Sequence, residues 1–257
     1  MTKKVENRRA FRKMILRSFS QSAGINSETM QGLGFAFAMI PILKSLYEGD
    51  QFKRSVKRQS TFFNTYPGSI GYILGVTAKN EEEHAKNSSY ENEENIYQMK
   101  ISLMGPLAGL GDSLVMAIYR VIVTIIAIDF VLDKNVVSVL FYLFIFHIPY
   151  FWVRIKGAYI GYMKGPLYLQ KYVDDGSIER LTKFLVAIKA ALIGYLVFRG
   201  FQVSMPGKWN LIEEMLPHWL PLILVLVGVF IYKKELGKKT GIGLLLTISF
   251  ILTLLLN

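Results

Sequence analysis

The 257-residue sequence contains no cysteine and only three histidines. Without cysteine the chain can form no disulfide bond, zinc–thiolate site or thiol nucleophile. His84, His147 and His218 stand far apart in unlike surroundings, so we interpret each as structural rather than as a phosphoryl carrier. We also find no Walker A pattern, no Ser/His/Asp set and no paired carboxylates with catalytic spacing. We therefore expect no metal, no cofactor and no catalytic residue in this chain.

Motifs for nucleic acid binding are missing as well, although lysine and arginine outnumber the acidic residues by 30 to 19. The sequence has neither helix-turn-helix nor zinc-finger spacing. Its basic clusters flank apolar segments, which is the arrangement expected at a membrane surface. We predict a lipid bilayer, and no nucleic acid, as the partner of these charges. No apolar segment follows the basic N-terminal residues, which argues against a cleavable signal peptide.

Apolar residues are abundant and make up 52% of the chain. Four runs approach or reach the length that crosses the hydrocarbon core, at 136–153, 181–198, 216–232 and 241–256. They predict an all-α, polytopic membrane protein with broken, re-entrant and interfacial helices. We expect a single membrane domain over 1–257. It consists of a basic amphipathic segment at 1–26, a broken-helix motif region at 27–132 and membrane helices at 133–257.

Residues 101–132 carry the clearest single signal. The first half of this stretch holds residues that break or loosen a helix, namely Gly105, Pro106, Gly109 and Gly111. From Ser113 onward the pattern is helical and apolar. The stretch therefore predicts a broken, glycine-rich entry into a membrane helix, with Asp112 at the joint. Interrupted segments of this kind mark binding sites in transporters.

Shorter elements precede this stretch. We predict an amphipathic helix within 1–17 that lies on an anionic inner leaflet. A second helix is expected from a cap at 27–28 to residue 47, and an interfacial helix over 51–66 that Pro67 ends. The acidic residues 81–95 are expected to form a solvated loop or hairpin.

The candidate ligand site consists of polar residues at these breaks: Gln31, Asn64, Thr65, Asp112 and Ser113. Neutral amides and one carboxylate suit a ligand rich in hydroxyl groups. Structural roles are equally compatible with the pattern. Asp112 is a candidate N-cap for the helix that starts at Ser113, and Arg120 two turns later is a candidate partner for its charge. Asn64 is a candidate for satisfying the end of its own helix.

Three stretches together resemble the enzyme IID component of the mannose-type (mannose/fructose/sorbose family) bacterial sugar phosphotransferase system. They are ETMQGLGFAFAMIP at 28–41, FFNTYP at 62–67 with ILGVT at 73–77, and LMGPLAGLGDS at 103–113. The GPLAGLGD run is the most specific. The order of the blocks and a lysine-rich turn before the last apolar run also fit, so the resemblance covers nearly the whole chain.

The resemblance implies a multi-pass subunit of the bacterial cytoplasmic membrane that pairs with a IIC subunit, the heterodimers assembling as trimers. Sugar is bound within IIC and IID and moved inward by an elevator-like motion, while cytoplasmic IIB, phosphorylated by IIA, passes its phosphoryl group to the sugar. The IID chain carries no phosphoryl group. Asn64 and Asp112 are then the best candidates near the sugar. The segment 199–214 is shorter than in mannose and glucose transporters, which leaves amino sugars, sorbose or fructose open.

Two other functional classes remain as alternatives, a polytopic membrane enzyme and a receptor or scaffold subunit. An enzyme needs a convergent catalytic set, which is not readable in this sequence. A receptor role would exploit the same transporter surface.

The distribution of basic residues predicts the membrane topology. Residues 1–17, 154–183 and 233–239 are basic and should be cytoplasmic, whereas 129–135 and 199–214 should be extracellular. We expect the cysteine introduced by Asn257→Cys to react with an impermeant thiol reagent in intact cells, with the cysteine-free parent as the blank. Reaction only after lysis would contradict this topology.

Overall fold

The computed structural model describes residues 7–86, 90–132 and 137–204. The described residues form helices and no β-strand, apart from isolated bridges that join Met30 to Asn26 and to Phe63. The helices are α1 (Arg8–Ser18), α2 (Gly32–Leu46), α3 (Gly49–Gln59), α4 (Ile70–Lys86), α5 (Tyr90–Gly111), a π-helix (Asp112–Tyr119), α6 (Arg120–Leu132), α7 (Val137–Lys164), α8 (Gln170–Asp174) and α9 (Ser177–Ser204), with short 3-10 turns at Gln21–Gly24 and Pro166–Tyr168.

The chain divides into two compact units, 1–120 with 139–179 and 121–138 with 180–257. In the first unit, buried side chains of α1, α2, α4, α5 and α7 form one hydrophobic core. The second unit contains α6 and most of α9. The predicted single membrane domain over 1–257 stays a prediction.

The N-terminal amphipathic helix is confirmed, but its apolar face is buried in protein. α1 begins after Asn7, whose side chain accepts a hydrogen bond from the Ala10 N–H at 3.0 Å. Phe11 is 1% exposed, and its ring lies against Tyr159 and Tyr162 of α7. Arg8, Arg9, Arg12 and Lys13 stay exposed on the other face. The placement of this apolar face on the lipid leaflet was therefore wrong.

Helices α2 and α3 are shorter than predicted. The Asn26 side chain accepts hydrogen bonds from the N–H groups of Glu28 and Thr29, which holds these residues in a turn. α2 therefore begins at Gly32, not at 27–28. α3 ends at Gln59, so the prediction of a helix to residue 66 was also wrong. After α3 the chain is non-helical, and the Phe63 backbone pairs with that of Thr29 and Gln31.

Where the structure describes it, at 81–86 and 90–95, the acidic stretch is helical and not a solvated loop. α4 continues through Glu81 to Lys86, and the Glu81 carboxylate is fully buried. It accepts hydrogen bonds from Arg58 at 2.8 Å, Tyr47 at 2.8 Å and Gln59 at 2.6 Å. Burial and the neighbouring carboxylate raise the pKa of the Tyr47 hydroxyl above its ordinary value. The polar residues at the end of α4 are therefore packed in a helix, because the Glu81 carboxylate is buried together with its hydrogen-bond partners.

The central motif is helical where a break was predicted. α5 runs through Pro106 to Gly111, with Gly105 and Pro106 on an exposed face of the helix. The irregularity begins at Asp112, where the chain enters a π-helix that ends with the Arg120 N–H bonded to the Val115 carbonyl. Within the described residues, 93–128 is the one helix long and apolar enough to cross a membrane, over 36 residues.

α4 and α7 approach each other through paired glycines. The contact uses two small-residue repeats of four-residue spacing, Gly71 and Gly75 on α4 and Gly157 and Gly161 on α7. A Cβ atom on Gly71 would overlap the carbonyl oxygen of Arg154, and one on Gly75 would overlap that of Ala158. Close approach of this kind is a common mode of helix packing in membranes. This α4–α7 contact was not predicted, although the four-residue spacing of the glycines is visible in the sequence.

The later helices are longer than their predicted apolar runs. α7 extends to Lys164, so the basic residues Arg154 and Lys156 lie in a helix rather than in a connection. α9 covers the predicted run 181–198. The predicted helices 216–232 and 241–256, His218 and most of the segment 199–214 lie outside the described residues.

We expect Gly71→Ala to destabilise the protein, because the added methyl group meets the α7 backbone, which cannot move aside alone. Overpacking of this kind costs about 1–3 kcal/mol. Gly105→Ala is the matched control, since a Cβ there meets nothing within 4 Å. Thermal unfolding of the detergent-solubilised variants measures the difference. Equal melting temperatures for the two variants would contradict the proposed contact.

Candidate functional site

The residues Phe62–Pro67 connect α3 to α4 and form a loop that we call the FFNTYP loop. Asn64 is exposed, whereas Thr65 and Tyr66 are 3% and 7% exposed. The loop thus presents one polar side chain outward and anchors itself through its neighbours.

Gln31 holds the middle of this loop because its side-chain amide pairs with the loop backbone as a neighbouring peptide group would. The Phe63 N–H donates to the Thr29 carbonyl, and the Gln31 N–H donates to the Phe63 carbonyl at 2.8 Å. The Gln31 side chain then continues the ladder. Its amide nitrogen donates to the Thr65 carbonyl at 2.9 Å, and its oxygen accepts from the Thr65 N–H at 3.1 Å. This pairing satisfies buried backbone groups that a loop would otherwise leave unpaired.

The opposite side of the loop lies against α5. The Thr65 hydroxyl donates to the Met104 carbonyl at 3.2 Å, and the Asn64 N–H approaches the Met104 sulfur at 3.0 Å. About two turns later along α5 the Tyr66 ring covers Gly111, where any Cβ atom would overlap the ring. The third motif therefore meets the second directly, as expected for one site.

Of the predicted site residues, three are exposed and two are buried. Asn64, Asp112 and Ser113 are exposed, and the Ser113 hydroxyl donates to the Leu110 carbonyl at 3.2 Å. Gln31 and Thr65 are buried and bonded to each other. The structure thus places Gln31 and the Thr65 side chain on the buried side of the loop, with Asn64 on its exposed side.

The structural alternatives for these residues are wrong. Gly111 has helical dihedrals and Asp112 continues the helix, so Asp112 is not an N-cap. Across the described part of the chain, no ion pair joins Asp112 to Arg120. Asn64 lies five residues beyond the end of α3, so it does not satisfy a helix terminus.

Lys100 supports the beginning of the loop and was missed by the sequence analysis. Its ammonium group is buried and donates to the Gln59 carbonyl and to the Thr61 hydroxyl, each at 3.1 Å. It also lies over the rings of Phe35 and Phe63, at 4.9 and 5.5 Å from their centroids. A lysine directly before an apolar run reads as an ordinary flanking charge, so the sequence held no signal for this role.

A polar cavity of about 260 Å³ lies beside the start of the loop. It is lined by Arg58, Thr61, Glu93, Glu94 and Tyr97. The Glu93 carboxylate pairs there with Arg58 at 3.0 Å and lies 3.5 Å from Nε2 of His84, so it is used within the protein. We therefore assign the exposed FFNTYP face, not this cavity, as the candidate site.

The chemistry available at the exposed face is that of hydrogen bonding. A primary amide, a carboxylate and a hydroxyl supply both donors and acceptors. Within the described ranges, no group of three or more histidine, aspartate or glutamate side chains could hold a metal ion. The arrangement suits recognition of a neutral molecule with several hydroxyl groups.

Comparison with known proteins places the chain in a family. The family profile described as "PTS system mannose/fructose/sorbose family IID component" matches residues 6–256. The chain is 30% identical over 242 residues to the sorbose-specific EIID component of Klebsiella pneumoniae, covering 87% of each chain. It is 29% identical over 238 residues to the fructose permease IID component of Bacillus subtilis, covering 86% of each. It is 28% identical over 244 residues to the mannose-specific EIID component of Escherichia coli, covering 88% of this chain and 86% of that one.

Two solved structures are similar along nearly the whole chain. One is the cryoEM structure of the mannose transporter ManYZ in complex with microcin E492, with a TM-score of 0.60 and 25% identity over 97% of this chain and 96% of that one. The other is described as the structure of a membrane protein, with a TM-score of 0.65 and 25% identity over 96% and 97%. These similarities confirm the predicted all-α membrane fold.

We expect Gln31→Met to destabilise the protein, because methionine fills the space but leaves the Thr65 N–H and carbonyl unpaired. Each unpaired buried group costs about 1–3 kcal/mol. Gln98→Met on exposed α5 surface is the matched control, with an expected change within about 0.5 kcal/mol. The check is thermal unfolding in detergent. A Gln31→Met protein as stable as the Gln98→Met protein would show that the side-chain ladder contributes nothing.

Proposed function

Because the chain belongs to the mannose/fructose/sorbose family of IID components of the sugar phosphotransferase system, we propose that it binds a hexose-type sugar and moves it across the membrane together with a IIC subunit. In this proposal it is a permease subunit of the bacterial cytoplasmic membrane and crosses that membrane several times. Phosphorylation of the sugar is performed by a cytoplasmic IIB subunit, which receives its phosphoryl group from IIA.

The observation that carries the proposal is the exposed polar face of the FFNTYP loop and of the adjoining π-helix. Asn64, Asp112 and Ser113 supply the direct contacts to sugar hydroxyl groups. Gln31 and Thr65 support them from behind, through the ladder that holds the loop. A sugar has no charge, so neutral amides and one carboxylate match it better than a cluster of cations would.

The partner subunit is inferred from a relative. One similar solved structure is that of the mannose transporter ManYZ in complex with microcin E492, and we propose for this chain the IIC–IID pairing that its family implies, with three heterodimers in the assembly. The named relatives act on sorbose, fructose and mannose. These sugars are the first to be tested as substrates of this chain.

A second candidate function is that of a receptor, because the ManYZ structure contains microcin E492. In that role a bacterial peptide would use the transporter as a docking site. An enzymatic role has less support, since the candidate site holds no nucleophile next to a general base. Sugar uptake into membrane vesicles, with and without phosphorylated IIB, separates transport from both alternatives.

We expect Asn64→Ala to lower sugar affinity and to leave assembly with IIC intact. Its side chain is exposed and is not needed for the backbone pairing of the loop. Loss of one such contact costs about 1–3 kcal/mol, which corresponds to roughly ten- to hundredfold in affinity. Calorimetry on the purified IIC–IID complex, together with its elution profile, measures both properties.

Asn95→Ala is the control for this experiment, since Asn95 is an exposed asparagine on α5 outside the site. Unchanged affinity of the Asn64→Ala complex would remove Asn64 from the sugar site. A complex that falls apart would assign Asn64 to assembly and leave Asp112 as the stronger candidate.

A further inference from the structure

Arg154 of α7 is a buried cation whose guanidinium nitrogens donate to backbone carbonyl oxygens, with the Tyr150 side chain as a further hydrogen-bond partner. The residue is 1% exposed. One terminal nitrogen of its guanidinium group donates to the Ser18 carbonyl at 2.8 Å, at the end of α1. Its Nε donates to the Pro67 carbonyl at 3.1 Å, and its other terminal nitrogen donates to the same oxygen. Arg154 thus joins three elements, α1, α7 and the end of the FFNTYP loop.

The surroundings of Arg154 hold its guanidinium plane in one orientation. The group lies over the rings of Phe19, at 5.0 Å, and of Tyr150, at 4.7 Å from the centroids. In the described residues, none of its hydrogen bonds or ion pairs goes to a carboxylate. A buried cation is a poor source of stability compared with apolar residues of the same volume. Its presence here therefore points to a geometric role.

The glycine contact between α4 and α7 brings Arg154 to this position. Gly71 lies four residues after Pro67 and meets the backbone of α7 at Arg154 itself. The α7 backbone is then close enough to the loop for two guanidinium nitrogens of Arg154 to donate to the Pro67 carbonyl. The same approach leaves no room for a larger residue at position 71.

We propose that Arg154 is a positioning residue that fixes the Pro67 end of the FFNTYP loop and so orients Asn64 toward the sugar. The proposal rests on the function proposed above. Gln31 holds the loop at Thr65, and Arg154 holds it two residues later. Between these two anchors Tyr66 covers Gly111, next to Asp112. Loosening the Pro67 anchor changes the position of Asn64 relative to Asp112 without removing either group.

Lysine is a suitable test replacement because it keeps the positive charge but lacks the planar fork. One ammonium group cannot replace three N–H donors that are directed at two carbonyl groups. It also cannot lie flat over two aromatic rings as the planar guanidinium group does. The matched control is Lys156→Gln, which changes an exposed cation on the same helix that lies over Trp152. Arg154→Gln is a second variant, which keeps donors but has no charge.

The first experiment measures sugar uptake by cells that express the complete transport system, with rates normalised to the amount of this subunit in the membrane. We expect Arg154→Lys and Arg154→Gln to raise KM roughly tenfold with a normalised maximal rate within about twofold, since misplacement of a binding group weakens recognition. Lys156→Gln should change neither. A fall in the amount of protein with an unchanged KM would overturn the proposal and leave Arg154 as a purely structural residue.

The second experiment reports on the loop without any sugar. The natural chain has no cysteine, so Asn64→Cys places a single thiol on the loop in native membranes. We expect the rate of maleimide labelling to change at least fivefold when Arg154→Lys is added, and to stay the same when Lys156→Gln is added. An unchanged labelling rate would overturn the proposal.

The two experiments separate this proposal from the proposed function. If the unmodified system transports none of the sugars tested, the proposed function fails, while the labelling rates still decide whether Arg154 positions the loop. If labelling changes but KM does not, Arg154 orders the loop without acting on sugar binding, which also overturns the proposal as stated.

Discussion

The structure depends on the hydrogen bonding of one non-helical segment, residues 60–69, between α3 and α4 of a membrane protein. Backbone groups that are removed from water must find partners within the protein. Three side chains from three helical regions provide them. Lys100 donates to the Gln59 carbonyl, Gln31 to the Thr65 carbonyl and Arg154 to the Pro67 carbonyl. The loop is therefore irregular in dihedral angles but held at its beginning, middle and end.

Glycines make these contacts possible by letting backbones approach closely. Around the segment, Gly32 lies against the carbonyls of Ser60 and Thr61, and Gly71 lies against the backbone of α7. Gly111 receives the Tyr66 ring. Gly105 and Gly109 of the same motif have open space at the Cβ position. In the GPLAGLGD motif, Gly111 is required for a close contact, whereas Gly105 and Gly109 make none. The difference depends on whether another part of the chain packs against the glycine.

The consequence for the proposed function is a frame of buried contacts beside exposed polar side chains. Gln31 and Thr65 are buried and bonded within the frame, while Asn64, Asp112 and Ser113 are exposed to solvent. A site whose supporting side chains are locked in this way loses little entropy when a ligand binds. The buried Glu81 network extends the same frame through α3 and α4, because its carboxylate holds Arg58, Gln59 and Tyr47 together.

The sequence by itself determined the helical membrane class, the order of the motifs and the family, because apolar length and motif residues are local properties. It also predicted an irregularity in the central motif, but it placed the break before Asp112, where α5 is continuous, and a regular helix from Ser113, where the π-helix lies. It could not assign the acidic stretch 81–95, because whether a glutamate is solvated or buried depends on an arginine more than twenty residues away. Tertiary structure alone decided that Gln31 supports the loop and that Lys100 and Arg154 hold its ends, since each role is a contact between residues distant in the chain.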